Sequence, residues 1–439
     1  MARTTARPTT ALALLTTLTL LLASLGAPPA LADDLVSTDD PAEAAAGWLV
    51  TALTDDPAVG SDFGPSVGPT IDVLFALSAV GVAASTIEAI ADWVTSQAAS
   101  YTQGEGFDAD DAAYGGATAK LALGLLVVDR DPRDAAGIDL IDQLLSLEID
   151  DPADGIEGRF SDRSDFGDFS SLLNQSLAIL ALHRAPGVEP SPQAISALVD
   201  QACDDGGFPS QFAPETCTSS VDTTGFAVQA LAAVGADDAA ANAVAWLETV
   251  QAADGSFSSP DGVNTNSTGL AASALTVGGA AAAAAAAAAW IVGQQDGCDT
   301  DSPGAIPFNV EARGSVELST SQATLGLVGA SLATISSTGA SSTVPTLDCD
   351  TAEEVEEVEE APSEEPAEEA TEEPVAEEAE EDAEDAEELA AGQDIPQPTR
   401  VDSGLSPSVS VWRLLTLLLG SLLLAGGIVT GLAPRREPR

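Results

Sequence analysis

One pattern recurs six times along these 439 residues and restricts what the chain can fold into more than any other feature. A Thr or Gln is followed six positions later by Ala or Gly and one further on by Leu: Thr70/Ala76/Leu77, Thr118/Gly124/Leu125, Gln175/Ala181/Leu182, Thr224/Ala230/Leu231, Thr268/Ala274/Leu275 and Thr320/Gly326/Leu327. Positions three, four and seven residues apart share a helix face, so every instance predicts a helix with a small, apolar stripe. Ahead of each helix a phenylalanine stands in a Gly- and Asp-rich loop: Phe63, Phe107, Phe160, Phe208, Phe257 and Phe308. Ahead of each loop lies another helical run, marked by Trp48, Trp93, Leu144, Leu198, Trp246 and Trp290. The unit is helix, loop, helix, with markers 44 to 57 residues apart. Small residues such as Ala227, Ala271 and Ala323 let the second helices approach closely, while bulkier Trp and Leu anchor the first. A hairpin array leaves an apolar face at each end unless it is capped or closed on itself. The prediction is an all-α domain: twelve helices in six hairpins closing into an (α/α)6 toroid, with the Thr/Gln markers at one end of an inner ring.

The flanks predict an exported protein. Arg3 and Arg7 precede an apolar run from Ala11 to Leu22, and Ala30-Leu31-Ala32 supplies the small residues of a signal-peptidase site, giving a signal peptide over 1–32 and a toroid domain over 33–350. Residues 351–410 form a Pro-containing stalk whose Thr351–Ala390 part holds 21 Asp and Glu and no Lys or Arg, a composition that repels itself and predicts disorder. Leu414–Ala433 is an uncharged apolar stretch of 20 residues, so 411–434 reads as a transmembrane helix. The basic tail 435–439, with Arg435, Arg436 and Arg439, stays cytoplasmic by the positive-inside rule. This end also resembles the tail of sortase substrates, but the LPxTG pentapeptide is missing, which favours a retained anchor in a bacterial membrane. A formal net charge of -56 makes nucleic acid an improbable partner.

The fifth loop, Gln251-Ala-Ala-Asp254-Gly255-Ser-Phe257, resembles the repeat of the squalene cyclase and prenyltransferase superfamily, with Phe where that family usually has Trp. The fourth loop, Gln201 to Phe208, is the same motif with one extra residue, and weaker forms extend the resemblance over about 45–336. The resemblance implies a terpenoid-cyclase-like toroid and leaves function open, because that fold carries cyclases, protein prenyltransferases, complement thioester domains and cobalamin carriers. Asp108-Ala109-Asp110-Asp111 spells the DxDD of class II cyclases, yet Thr118 follows seven residues after it rather than directly. Cyclases also hold carbocations with aromatic faces, and aromatics are 4% of this chain. The zinc ligands of prenyltransferases and the Cys-Gly-Glu-Gln of thioester domains have no counterpart. Val221-Asp222-Thr223-Thr224 matches a run that opens an inner helix of the cobalamin carriers, although an Asp there also serves as a helix N-cap. The β-rich domain with which those carriers clamp their ligand has no counterpart either.

Four cysteines in an exported chain read as disulfides, and proximity suggests Cys203 with Cys217 and Cys298 with Cys349. No metal site and no cofactor are expected. His183, the single histidine, sits beside Arg184 at the exit of the third inner helix, where it answers the helix dipole. The expectation is a surface-displayed, non-enzymatic binding or scaffold module for a small apolar or glycan ligand. Its mouth would be lined by Asp222, Thr223, Asn264, Asn266 and Ser319. The alternatives are a carbohydrate-active toroid enzyme, with Asp222 paired to Asp108 or Asp165, and a class II terpene-cyclase-like enzyme. The shape of the central cavity discriminates among them.

Overall fold

The computed structural model describes residues 34–349 except 63, 154 and 310. The proposed signal peptide, stalk, membrane helix and basic tail lie outside the described residues, as does Phe63. Among the described residues no helix is long and apolar enough to cross a membrane.

The described part is mostly helical and follows the repeat. A short strand, β1 (Asp34–Thr38), leads into a first hairpin of α1 (Pro41–Thr51) and α2 (Val67–Val80). The second comprises α3 (Ala84–Ser96), α4 (Ala98–Gln103) and α5 (Gly115–Val127), the third α6 (Leu140–Leu145) and α7 (Leu172–Arg184), and the fourth α8 (Pro192–Val199) and α9 (Val221–Ala233). The fifth pairs α10 (Asp237–Val250) with α11 (Thr265–Val277), across a loop holding the tiny strands β2 (Ser258–Ser259) and β3 (Gly262–Val263). The sixth pairs α12 (Ala281–Val292) with α13 (Val316–Leu327), and the fold ends in β4 (Thr343–Leu347). Among the described residues there are thirteen α-helices rather than twelve because the first arm of the second hairpin breaks at Gln97, whose φ of -92° and ψ of 4° leave the helical region. The six markers fall in the first turns of α2, α5, α7, α9, α11 and α13. These inner helices pack on one another in chain order, and α13 packs in turn on α2.

The markers work as loop anchors. Oγ1 of Thr224 accepts the N–H of Phe208 at 2.9 Å, Thr268 that of Phe257 at 3.0 Å, and Gln175 takes Phe160 through Oε1 at 3.0 Å. The phenylalanine marker holds in these three hairpins, where the ring is buried. It fails in the others. Thr70 binds Val59 N and Thr320 binds Ile306 N, both at 2.9 Å, leaving Phe308 only half-buried. Thr118 instead accepts Gln143 Nε2 at 2.7 Å, and Phe107 is exposed.

In three hairpins a glutamine ties the loop to the next outer helix. Gln251 Nε2 donates to Gly255 O (3.0 Å) and Ala283 O of α12 (2.9 Å). Gln295 repeats this at Gly304 O and at Pro41 O of α1, both 2.9 Å, across 254 residues of sequence. The third hairpin has no glutamine at that place, and Gln175 does both jobs by reaching Gly158 O and Ala194 O at 2.9 Å. This explains why Gln replaces Thr there. The glycine is required at these junctions: Gly255 has φ +96°, and a Cβ on it would lie 2.3 Å from Ala286 O. Gly304, φ +91°, meets Ala44 O of α1 in the same way.

The positions two and five residues after each marker share a helix face. They comprise Asp72, Lys120, Leu177, Phe226, Leu270 and Gln322 in one layer, and Phe75, Leu123, Leu180, Gln229, Ser273 and Leu325 in the next. None is more than 6% exposed. Contacts across the bundle agree with this placement: Lys120 Nζ lies 2.8 Å from Asp72 Oδ2, and Asn266 Nδ2 donates to Gln322 Oε1 at 3.1 Å. These positions between neighbouring inner helices are thus packed out of contact with water.

Residues 328–347 cross the C-terminal ends of the inner helices as a strap. Arg184 donates to Leu332 O at 2.7 Å and Ile335 O at 2.8 Å, while Gln229 Oε1 accepts Leu332 N at 2.9 Å. Burial lowers the pKa of the Arg184 guanidinium, whose carbonyl partners satisfy it without a counter-ion. The strap continues through Ser337 N to Val127 O and Ser341 N to Gly81 O, then pairs β4 in parallel with β1, Asp34 opposite Thr343. It approaches α1 so closely that a Cβ on Gly47 would fall 1.4 Å from Pro345 O.

Both expected disulfides form. Cys203 and Cys217 are bonded with Cα atoms 5.6 Å apart. Cys298 and Cys349 are also disulfide-bonded, and with no cysteine free each is the other's partner.

Candidate functional site

The opposite end, where the inner helices begin, carries the loops. Of the five residues expected to line a mouth there, four are buried. Asn264 is the N-cap of α11: Oδ1 accepts Ser267 N at 2.8 Å, and Nδ2 donates to Ser259 Oγ (3.1 Å) and Gly262 O (3.0 Å). Asn266 holds Gln322, and Ser319 Oγ returns to Ser315 O at 2.9 Å. Thr223 is buried and donates its N–H to Ser220 Oγ at 3.3 Å. Ser220 is therefore the N-cap of α9, and Asp222, expected to be that cap, is instead a half-buried residue of its first turn, where its charge suits the helix dipole.

The loops over α5 and α7 hold the densest polar network of this end. Asp108 accepts Tyr114 Oη and Ser164 Oγ, each at 2.6 Å, Ala109 N at 2.7 Å and Asp165 N at 3.1 Å. Desolvation works to raise its pKa, but the bonds from Ser164, Tyr114, Ala109 N and Asp165 N together hold it at about 2. Tyr114 is raised by desolvation and by its bond to that carboxylate. Asp162, nearly buried beneath, caps the start of α5 from another loop: Oδ1 accepts Gly115 N at 2.7 Å and Oδ2 accepts Phe169 N at 3.1 Å. Desolvation pushes Asp162 up to about 6 against those bonds, the charge of Asp168 adds to the rise and that of Arg159 opposes it. Arg159 pairs with Asp168 and lies over the Phe212 ring, 4.7 Å from its centroid.

Asp108 and Asp165, the two alternative partners expected for Asp222 in an acid–base couple, meet each other here only through the backbone bond from Asp165 N to Asp108 Oδ1. Asp222 stands on α9, with α7 packed between α9 and α5. Asp110 and Asp111, which complete the DxDD-like run, are exposed in a turn. His183 closes α7 at the other end, its Nδ1 3.8 Å from Glu189 Oε2. Among the described residues no group of three or more His, Cys, Asp or Glu converges to hold a metal ion.

Tyr114, Asp162, Ser164 and Arg159 were not singled out by sequence reasoning. The dense Asp/Phe run 164–169 was visible, but the partner that organises it, Asp108, lies 56 residues away from Ser164.

No protein-family model and no curated protein matches this sequence. Solved structures do. A protein from Actinoplanes is 17% identical, covering 67% of this chain and 99% of its own, with a TM-score of 0.49. A type II terpene cyclase from Scytonema is 16% identical over 67% and 97%, TM-score 0.47. A protein geranylgeranyltransferase from Candida albicans is 13% identical over 62% and 90%, TM-score 0.46.

Proposed function

We propose that residues 33–350 form a closed (α/α)6 toroid that acts as an exported, surface-displayed binding or scaffold module without turnover. Three connections support closure: the packing of α13 on α2, the bond from Gln295 to Pro41 O, and the β1–β4 pair. The two disulfides support an oxidising, extracellular location, and the apolar Leu414–Ala433 run supports a membrane anchor.

The observation that carries the functional reading is the burial between the inner helices. A polyprenyl-sized substrate needs an enclosed apolar cavity of several hundred Å³, and the twelve residues two and five positions after the six markers are all at most 6% exposed. Class II protonation needs a carboxyl kept protonated against an enclosed substrate, whereas Asp110 and Asp111 of the DxDD-like run stand exposed in a turn. A ligand would then engage the loop end.

The test is incubation of the purified protein with squalene, geranylgeranyl diphosphate and a panel of polysaccharides, followed by product analysis. No product is expected. Product formation abolished by Asp110→Asn, Asp111→Asn or Asp222→Asn would replace the binding module with an enzyme. Protease shaving of intact cells should release the domain and leave the C-terminal segment in the membrane fraction.

A further inference from the structure

Every exposed phenylalanine among the described residues lies on the two loops over α5 and α7. Phe107 is 61% exposed, Phe166 51% and Phe169 40%. Burying such a ring is worth roughly 1.5–3 kcal/mol, so leaving three in water forgoes a sizeable gain in one place. The rings are also firmly presented. Phe107 stacks on Tyr114 with centroids 6.5 Å apart and planes at 22°, and Tyr114 is itself bonded to Asp108. Phe166 N donates to Ser164 Oγ at 3.0 Å, and Phe169 N to the nearly buried carboxylate of Asp162 at 3.1 Å. A surface of this kind is pre-ordered for contact and loses little conformational freedom on binding.

Its charge restricts the occupant. The exposed carboxylates of Asp110, Asp111 and Asp165 stand on the same loops. The two cations of these loops are engaged within the fold, Arg159 with Asp168 and Arg163 with Asp111 O at 2.7 Å. Carboxylates beside open aromatic faces suit a cation, which a ring face attracts by about 0.5–2 kcal/mol. A second copy of a chain with net charge -56 would be repelled.

We propose that this face docks a cationic segment of a partner protein, with Arg or Lys side chains over Phe107, Phe166 and Phe169 and paired to Asp110, Asp111 and Asp165. The proposal deepens the binding-module reading and rests on it.

The experiment uses the full chain in detergent at about physiological salt, where long-range attraction is screened beyond roughly 8 Å. Fluorescein-labelled peptides of alternating Arg and Leu, and of alternating Gln and Leu, are titrated by anisotropy, with cellohexaose as a neutral competitor. The Arg peptide should bind and the Gln peptide should not. Affinity should fall at least tenfold in Phe107→Ala/Phe166→Ala/Phe169→Ala and in Asp110→Asn/Asp111→Asn/Asp165→Asn, and less than twofold in the distant control Asp237→Asn/Asp238→Asn. If the alanine variant unfolds, single Phe→Leu changes keep the apolar bulk without the ring face and should each weaken the Arg peptide. Equal binding by the phenylalanine variants and the control, or no binding at all, would overturn the proposal, as would displacement by cellohexaose that needs the rings but not the carboxylates. Turnover of a polyprenyl or glycan substrate with peptide affinity intact would instead remove the non-enzymatic reading and leave this face standing.

Discussion

The two ends of the inner helices are finished in opposite ways. At their C-terminal ends a strap of backbone lies across the bundle, and its carbonyls are taken up by Arg184 while its Leu332 N–H goes to Gln229. At their N-terminal ends separate loops are tied down one by one through Thr or Gln anchors, and the loops over α5 and α7 leave three phenylalanines in solvent. The strap end is a lid made of the chain itself, bonded to the inner helices and to β1. The loop end buries the rings of Phe160, Phe208 and Phe257 at its anchors and holds the backbone of Phe166 and Phe169 with their rings exposed. Exposed rings on a bonded support forgo burial that the strap end obtains, and this asymmetry is what the proposed docking face rests on.

The comparison can be broken from the centre outward. Lys120 and Asp72 form a buried ion pair at 2.8 Å, and Lys120→Met should cost about 3–5 kcal/mol in denaturant unfolding because a buried carboxylate loses its partner. The double variant Lys120→Met/Asp72→Leu should recover most of that loss. Next, Arg184→Met should cost about 2–3 kcal/mol by stranding the Leu332 and Ile335 carbonyls, with hydrogen exchange rising first in the strap. An equal rise at the loop end would show that the two ends are not separate units.

The loop end should reveal itself by pH. Asp162 titrates at about 6 in the fold against 3.8 ordinarily, so its ionisation opposes folding. The benefit of its neutral form is complete below about pH 4 and is lost as pH rises through about 6, on the order of 3 kcal/mol. Asp108 runs the other way: its contribution is present above pH 3.8 and is lost as pH falls toward about 2. Stability measured from pH 4 to 7 should therefore decline less in Asp162→Asn than in the parent chain, and an unchanged slope would remove the buried-carboxyl account. Smaller still, Ser220→Ala should cost about 1 kcal/mol through the lost α9 cap, and more than Asp222→Ala does. Smallest, Phe166→Ala should leave the unfolding midpoint within about 0.5 kcal/mol of the parent, as befits a ring whose role lies outside the fold.

The helices were legible because small-residue periodicity and alanine-rich runs are local properties, and the six markers fall in the first turn of every inner helix. The disulfides were legible because each pair is close to its partner loop in the hairpin order. The phenylalanine marker was half right: the anchor position is defined by a backbone N–H donated to a marker side chain, so Val59 and Ile306 fill it as well as Phe208 does. A backbone donor leaves no trace in residue identity. The expected mouth residues were chosen by their place ahead of the inner helices, yet four are buried, because caps and crossings consume polar side chains at helix starts.

What the sequence by itself determined is the repeat and its register, both written in periodicities that need no partner to be read. What only the tertiary structure decided is how the inner helices pack and which rings stay in water. Those depend on where side chains from six distant helices meet, as Lys120 meets Asp72 and Ser164 meets Asp108, and such meetings are set by packing of the whole bundle rather than by any one segment.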